Sequence, residues 1–168
     1  MNKKIVIQFF HYLWIAMASA IILFVFSQAF YTKRNLVYNL DFSQRVNKDI
    51  RGWYPEQRLV FSHGSSLGYY YDVIGEPLYM KIYTPIDFEN INIKGTIIHG
   101  DSGVELGLKQ KDGSWHFKSI NYDDFNLDFD LDNAQVTNNQ LEIILSIPSI
   151  TETSGINMAN NWQIILSR

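Results

Sequence analysis

The feature that most constrains this chain is a stretch of 28 residues, 5–32, that contains no Lys, Arg, Asp or Glu. A helix rises about 1.5 Å per residue, so a helix of this length exceeds the roughly 30 Å hydrocarbon core of a bilayer. Aromatic residues stand toward both ends of the stretch, with Trp14 near one end and Phe30 and Tyr31 near the other, as is typical of a helix that crosses two interfaces. The sequence therefore predicts a transmembrane helix within residues 1–32.

A cleavable signal peptide is an alternative for the same segment, and it stays open. Lys3 and Lys4 supply a basic start, and Ser27-Gln28-Ala29 supplies a small-x-small cleavage site. The apolar run is longer than the roughly 7–15 residues of a signal-peptide core, which favours a retained anchor in the lipid bilayer. In both cases we expect the rest of the chain outside the cytoplasm, and for an anchor we expect a cytoplasmic N-terminus.

The helix also suggests an alternative function as a docking element. Ala16, Ser19 and Ala20 form a patch of small residues, and such patches let helix backbones approach closely within a membrane. This pattern predicts a small subunit that binds a larger membrane protein through its transmembrane helix.

Charge and cysteine content exclude several classes of protein. The chain has no cysteine, so disulfides, thiolate metal sites and cysteine nucleophiles are excluded, and a bacterial envelope protein is favoured over a disulfide-stapled extracellular domain. Beyond residue 32 there are 12 basic and 17 acidic residues, a balance of 12 − 17 = −5. Such an acidic domain is unsuited to phosphate contacts, so we expect no nucleic-acid partner.

The rest of the chain predicts an all-β domain over residues 57–168, after a juxtamembrane connector over 33–56. Runs rich in β-branched and aromatic residues alternate there with turn residues. Leu127, Phe129 and Leu131 alternate with polar residues, so they are expected to point inward. A parallel sheet needs helical crossovers, which the pattern lacks. The predicted fold is an antiparallel β-sandwich, jelly-roll-like, preceded by a single N-terminal transmembrane α-helix.

The segments 76–85, 104–108 and 113–117 set the strand rhythm of this domain. That rhythm resembles the one of galactose-binding-like jelly-roll modules, which belong to the carbohydrate-binding-module architecture, and the likeness spans roughly Leu59 to Arg168. It implies a non-catalytic binding or spacer module. Jelly-roll modules of this kind often carry a structural calcium.

Aromatic residues are the candidate ligand-binding residues. Tyr, Trp and Phe offer rigid apolar faces, and those of Tyr and Trp carry a polar tip, which suits contact with a sugar or peptide. Tyr69 and Tyr71 lie on the same side of one predicted strand, and Trp53 and Trp115 are further candidates. Burial in the core is the competing interpretation for the tryptophans.

Asp128, Asp130 and Asp132 form a D-x-D-x-D pattern that suggests a calcium site. The pattern matches the start of an EF-hand loop, but Asn133 stands where the loop needs Gly and Asn139 where it needs Glu. The wet face of a strand also explains these acids. Calcium therefore enters as one possible structural cofactor, and no other cofactor is expected.

Gly64-Ser65-Ser66-Leu67-Gly68 matches the G-x-S-x-G pattern of serine hydrolases. That motif works on a strand-to-helix turn above an α/β sheet, whereas the residues that follow here predict a strand. The alternative function is an esterase-like hydrolase that uses Ser66 with His99 or His116. The sequence identifies no catalytic residues, so the leading hypothesis is a membrane-anchored, non-enzymatic β-sandwich that acts as an accessory or structural subunit or binds an envelope glycan or protein.

Overall fold

The computed structural model describes the backbone of residues 3–31, 35–42, 49–64, 68–85, 87–100, 103–148 and 156–168. Side chains are described over these ranges, except that the helix is limited to Gln8 and residues 11–25, and residues 99 and 100 are left out. The chain divides into two units, Met1–Arg34 and Asn35–Arg168.

The first unit contains one helix, α1 (Lys3–Tyr31). Its side chains at residue 8 and at 11–25 are exposed, including Trp14 and Leu23 at 69% and 70%. Within the described part of the chain, no helix meets the length and hydropathy needed to cross a bilayer. Ala16, Ser19 and Ala20 lie in the described part of α1, and helix docking through them stays a prediction.

The described part of the second unit is a sandwich of two antiparallel sheets with thirteen strands, which confirms the predicted all-β class. The strands are β1 (Asn35–Asp41), β2 (Ile50–Tyr54), β3 (Leu59–Gly64), β4 (Gly68–Val73), β5 (Leu78–Tyr83), β6 (Asn90–Gly100), β7 (Val104–Lys109), β8 (Trp115–Ile120), β9 (Asp123–Asp130), β10 (Val136–Thr137), β11 (Gln140–Ser146), β12 (Ile156–Ala159) and β13 (Asn161–Ser167). A 3₁₀ turn, Glu56–Arg58, precedes β3.

Sheet A contains seven strands in the order β1-β13-β6-β12-β4-β3, with β9 on the other edge of β6. β13 and β12 follow each other along β6, with residues 90–94 paired to β13 and residues 97–100 to β12. On their far side β13 pairs with β1 and β12 pairs with β4. As a result β1 and β4 lie end to end in the sheet, and the sheet edge is interrupted between them.

Sheet B contains six strands in the order β2-β5-β11-β7-β8, with β10 paired to β11. The core lies between the sheets and is built from alternating inward residues, as in the buried Leu78, Met80 and Ile82 of β5. Phe129 and Leu131 are buried and Leu127 is partly buried, so the predicted inward set on β9 is confirmed.

The predicted connector over 33–56 differs from the structure. β1 pairs with β13 and β2 pairs with β5, so most of this region belongs to the sandwich, which begins at Asn35 rather than at residue 57. Leu36, Val37 and Leu40 suggest a helical spacing, but the inward set is Leu36, Tyr38 and Leu40 at period 2 while Val37 is 48% exposed. An apolar residue on the outer face concealed the strand.

Candidate functional site

A cleft of about 500 Å³ opens between the end of β1 and the paired strands β3 and β4. It lies at the interruption between β1 and β4 in sheet A, and strand β2 of sheet B forms its remaining side. We call this site the cleft; the residues that line it are 39–42, 50–54, Glu56, Leu59, Phe61 and Tyr71. The cleft thus lies between segments that are distant in sequence. It is placed where β1 ends and β4 continues in the same position of sheet A.

Aromatic rings form one continuous series from the cleft into the core. Phe61 packs against Tyr71, with ring centroids 5.1 Å apart, and Tyr71 meets Phe42 edge-on at 6.5 Å. Phe42 in turn contacts Trp53 at 6.4 Å and Trp162 at 6.1 Å. Phe61 is 47% exposed, whereas Trp53 is only 5% exposed, so the series runs from solvent to the interior and is held rigidly at its inner end.

Hydrogen bonds hold the residue that follows β1 in place. The Tyr71 hydroxyl donates to the carbonyl oxygen of Phe42 at 2.5 Å, and the Phe42 amide donates to the carbonyl of Asn160 at 2.9 Å. Both backbone groups of Phe42 are therefore used, so the wall of the cleft is positioned before any ligand arrives.

A β-bulge in β2 presents side chains to the cleft from the other sheet. Arg51 is opposite Lys81 and Tyr54 is opposite Tyr79, so Gly52 and Trp53 together face one residue of β5. The bulge lets Trp53 point into the core while Arg51 and Tyr54 stay on the outer side. The guanidinium carbon of Arg51 lies 4.5 Å from the centroid of the Tyr54 ring, a cation–π contact.

Two carboxylates reach the cleft, Asp41 from the end of β1 and Glu56 from the 3₁₀ turn. Burial raises the pKa of Tyr71, and the negative charges of Asp41 and Glu56 raise it further. The charge of each acid therefore opposes ionisation of the Tyr71 hydroxyl. The Nδ2 of Asn160 donates to Asp41 Oδ1 at 3.2 Å, a neutral donor that orients this carboxylate.

The outer face of sheet B carries a second aromatic group. Tyr54, Tyr79, Ile144, Gly107 and Phe117 stand opposite one another in register across β2, β5, β11, β7 and β8. A Cβ atom at Gly107 would lie 2.6 Å from Ile144 Cγ2 and 2.8 Å from Phe117 Cε1, so these two side chains meet directly above the glycine. Together with Trp115, which lies 6.1 Å from Tyr79, we call this row the strip.

Charged side chains run beside the strip and are paired there. Lys109 Nζ lies 2.9 Å from Glu142 Oε2, and the Tyr54 hydroxyl donates to Glu142 Oε1 at 3.0 Å. Burial raises the pKa of Tyr54 to about 12, and the hydrogen bond to Glu142 contributes. Burial opposes ionisation of Glu142, but the bonds from Lys109 and Tyr54 outweigh it and lower the pKa of this carboxyl.

The structure separates the four predicted binding residues. Tyr71 and Trp53 line the cleft, and Tyr69 lies on the same face as Tyr71, with its ring stacked on Phe61 at 5.4 Å and 6°. Trp115 lies in the strip, so it is not brought together with the other three. The sequence analysis missed Asp41, Phe42, Glu56 and Phe61, because only the pairing of distant strands brings them to one place.

The predicted calcium ligands do not converge. Asp128 and Asp130 point outward along β9, where Asp128 Oδ1 accepts from Asn92 Nδ2 at 2.6 Å and Asp130 Oδ1 accepts from the Asp132 amide at 2.7 Å. The described residues include no group of three or more His, Cys, Asp or Glu that could hold a metal ion. The acids fit the wet face of a strand, and the idea of a calcium site gains nothing from their arrangement.

Most of the residues that the hydrolase hypothesis needs are not fully described by the structure. Ser66 lies in the segment 65–67, which the structure does not describe, and only the backbone of His99 is described. His116 lies on β8 with its ring edge-on to Phe129 at 5.9 Å. Gly68–Val73 forms strand β4, as the sequence predicts, where the G-x-S-x-G motif needs a helix.

Comparison with solved structures finds carbohydrate-binding modules, the architecture that the strand rhythm predicts. The CBM22-1 xylan-binding domain of Paenibacillus barcinonensis Xyn10C aligns over 82% of this chain and 98% of its own, at 10% identity and a TM-score of 0.46. The C-terminal CBM6 of LamC from Zobellia galactanivorans aligns over 79% and 100%, at 11% identity and a TM-score of 0.44. A family 6 module from Clostridium cellulolyticum, solved with xylose, aligns over 78% and 97%, at 10% identity and a TM-score of 0.41.

No protein-family model matches the chain, and no curated protein matches it. The alignments to solved structures are loose, with TM-scores below 0.5. The function of this chain therefore has to be inferred from its own residues, above all from those of the cleft.

Proposed function

We propose that this protein is a non-catalytic glycan-binding module held at the outer surface of a membrane. The observation that carries the proposal is the cleft, where the half-exposed ring of Phe61 and the hydrogen-bonded ring of Tyr71 stand beside two carboxylates and a guanidinium. Sugar rings present apolar C–H faces and polar hydroxyl edges. Aromatic faces suit the first, and charged hydrogen-bonding groups suit the second.

The dimensions of the cleft fit a short saccharide. Its volume of about 500 Å³ falls within the range of roughly 300–1,000 Å³ that is usual for small-ligand sites. The wall is ordered in advance by the bonds to both backbone groups of Phe42, so little side-chain entropy is lost on binding. A wall that is partly aromatic and already ordered favours binding of a neutral ligand such as a sugar, which otherwise binds weakly.

Anchoring through α1 is the second part of the proposal. Residues 5–32 contain no charged side chain, and the described side chains of the helix are exposed on all sides. A helix that is apolar around its whole circumference needs an apolar environment. A lipid bilayer around residues 5–32 provides one, and we infer that the sandwich then lies on the extracytoplasmic side.

Membrane extraction and protease accessibility test the anchor. We expect the full chain to stay with membranes at alkaline pH and to be released by detergent, and we expect protease added outside intact cells to digest the sandwich. Release by alkaline carbonate alone would contradict the anchor. Protection from external protease, with digestion after lysis, would contradict the orientation.

Glycan binding is tested on the full chain in detergent micelles by calorimetric titration. The probes are xylan and xylose, after the xylan-binding domain and the xylose-bound family 6 module described above, together with soluble glycans from bacterial envelopes. Removing the ring in Phe61→Ala is expected to weaken binding about tenfold, because one aromatic contact contributes roughly 0.5–1.5 kcal/mol.

Val60→Ala is the matched control for Phe61→Ala. Val60 precedes Phe61 on β3, is 45% exposed against 47% for Phe61, and points to the opposite face of the sheet. We expect this variant to bind as the original chain does. Equal loss in both variants, or no binding of any glycan by the folded protein, would overturn the proposed function.

A further inference from the structure

Two neighbouring buried tryptophans differ in one hydrogen bond. Trp53 and Trp162 are only 5% and 3% exposed, and their rings meet edge to face, with centroids 5.4 Å apart and an angle of 77° between them. The Nε1 of Trp162 donates to the carbonyl oxygen of Ala159 at 3.1 Å. The Nε1 of Trp53 is buried as well, yet it meets no acceptor among the described residues.

An unpaired indole N–H is unfavourable in a buried position. The group can only donate, so a cation or another N–H cannot satisfy it. Most buried donors in folded proteins are paired, and an unpaired one has a structural or functional cause. The aromatic face of a neighbouring ring such as that of Trp162 is only a weak acceptor. Trp53 therefore retains a hydrogen-bonding capacity that the described part of the chain does not use.

This donor belongs to a residue that lines the cleft. The Nε1 of Trp53 is covered in the unliganded protein, so a ligand has to displace side chains of the lining to reach it. Arg51, Glu56 and Phe61 are exposed members of that lining, and exposed side chains change rotamer rapidly. A ligand that enters the cleft can therefore approach the buried donor without unfolding its surroundings.

Building on the proposed glycan-binding function, we propose that the indole N–H of Trp53 is a binding group of the cleft and donates a hydrogen bond to an oxygen of the bound saccharide. Hydroxyl groups accept hydrogen bonds, so a sugar supplies the acceptor that the described chain lacks. A site with a buried polar group discriminates strongly against a ligand that leaves this group unpaired. The cleft thereby disfavours ligands that present only an apolar surface next to Trp53.

Replacing the indole N–H by sulfur isolates this one bond. The variants Trp53→benzothienylalanine and Trp162→benzothienylalanine, made in the full chain, keep the shape of the ring and remove only the donor. In the first variant we expect the melting temperature to be unchanged or higher, because no bond within the chain is lost. We expect its glycan affinity to fall about fivefold, the effect of one neutral hydrogen bond.

The Trp162 variant is the matched control, and its results should be the reverse. Its melting temperature should fall, because the bond to Ala159 is lost, and its glycan affinity should be unchanged. Affinity is measured in detergent micelles with the same probes as for Phe61→Ala, which are xylan, xylose and soluble envelope glycans. NMR of the indole protons adds a direct observation, since the Trp53 signal should move downfield on saturation with the glycan while the Trp162 signal stays in place.

The outcomes separate this inference from the proposed function. A lower melting temperature in the Trp53 variant would show that its N–H already has a partner within the chain, and the inference would be wrong. Unchanged affinity in that variant, or equal loss of affinity in both variants, would also overturn the inference while glycan binding itself stands. Binding of none of the probes by the folded protein would overturn the proposed function and this inference with it.

Discussion

The cleft and the strip are both rich in aromatic residues, yet their surroundings differ. In the cleft the rings lead from the half-exposed Phe61 to the buried Trp53, and two acidic residues line the same cleft. In the strip the rings lie across the outer face of one sheet, Ile144 beside Phe117 is only 6% exposed, and the acid Glu142 is already paired with Lys109. Aromatic content alone therefore does not identify a binding site, because rings that cover a sheet and rings that line a cleft have the same sequence signature.

The largest expected effect is a loss of stability when a methyl group is added beneath Trp162, the buried ring that contacts Phe42 of the cleft. In Gly95→Ala the new Cβ would lie 2.8 Å from Trp162 Cδ2 and 2.9 Å from Phe125 Cζ, and Trp162 is only 3% exposed. These rings cannot move aside, so we expect the free energy of unfolding to fall by about 1–3 kcal/mol. Denaturant unfolding of the full chain in detergent measures this loss.

Gly107→Ala is the counterpart in the strip. The added Cβ would lie 2.6 Å from Ile144 Cγ2 and 2.8 Å from Phe117 Cε1. Ile144 is only 6% exposed and has to shift, but Phe117 is 41% exposed and can rotate toward water, whereas both rings next to Gly95 are enclosed. We expect a smaller loss of stability than in Gly95→Ala. If the two variants lost equal stability, the strip would be packed as tightly as the core, and the contrast between the regions would be wrong.

Removing an aromatic ring should weaken glycan binding in the cleft and leave it nearly unchanged in the strip. Phe117→Ala takes away a ring of the strip, and we expect glycan affinity to stay within about twofold, against the roughly tenfold loss for Phe61→Ala. Titration of both variants with the same glycan measures the difference. A comparable loss in Phe117→Ala would place the glycan on the outer face of sheet B and not in the cleft.

The acidic residues of the two regions should have different roles. Glu142, beside the strip, should stabilise the folded state. Glu142→Gln loses the ionic bond with Lys109 and weakens the bond with Tyr54, and we expect about 1 kcal/mol less stability near neutral pH. Because folding lowers the pKa of this carboxyl from 4.5, its contribution is present above pH 4.5 and is lost as the pH falls through the folded-state value.

Unfolding measured across that pH range checks this prediction. The stability difference between the original chain and Glu142→Gln should disappear at low pH. Glu56→Gln should leave the stability near neutral pH unchanged, because Glu56 is exposed at the edge of the cleft. A pH-independent difference for Glu142→Gln would mean that its charge does not matter.

Local patterns predicted the strands whose side chains alternate. Runs of Tyr and Trp next to turn residues indicate strands at Gly68–Val73 and Trp115–Ile120, and these are the bounds of β4 and β8. The four-residue strand β12 was missed because it is short. Strands β1 and β2 were missed because their strand character depends on pairing with β13 and β5, which local patterns do not reveal.

The site was less predictable than the fold. Residue type alone pointed to Tyr71 and Trp53, since both combine an apolar body with a polar tip. Phe61 and Glu56 enter the cleft only because β1 and β4 lie end to end beside β12 and β13. That arrangement follows from contacts between residues far apart in sequence, and a single sequence carries no direct signal for it.

The smallest predicted effect concerns the ionisation of one tyrosine in each region. Burial and the charges of Asp41 and Glu56 raise the pKa of Tyr71, so Glu56→Gln should lower it by removing one negative charge near the phenolate. The pKa of Tyr54, about 12, should not change, because its acidic neighbour is Glu142. Alkaline titration by NMR of ring-labelled tyrosine, with Tyr71→Phe to assign the signal, measures both. An unchanged pKa of Tyr71 would show that the Glu56 carboxylate does not act on this ring.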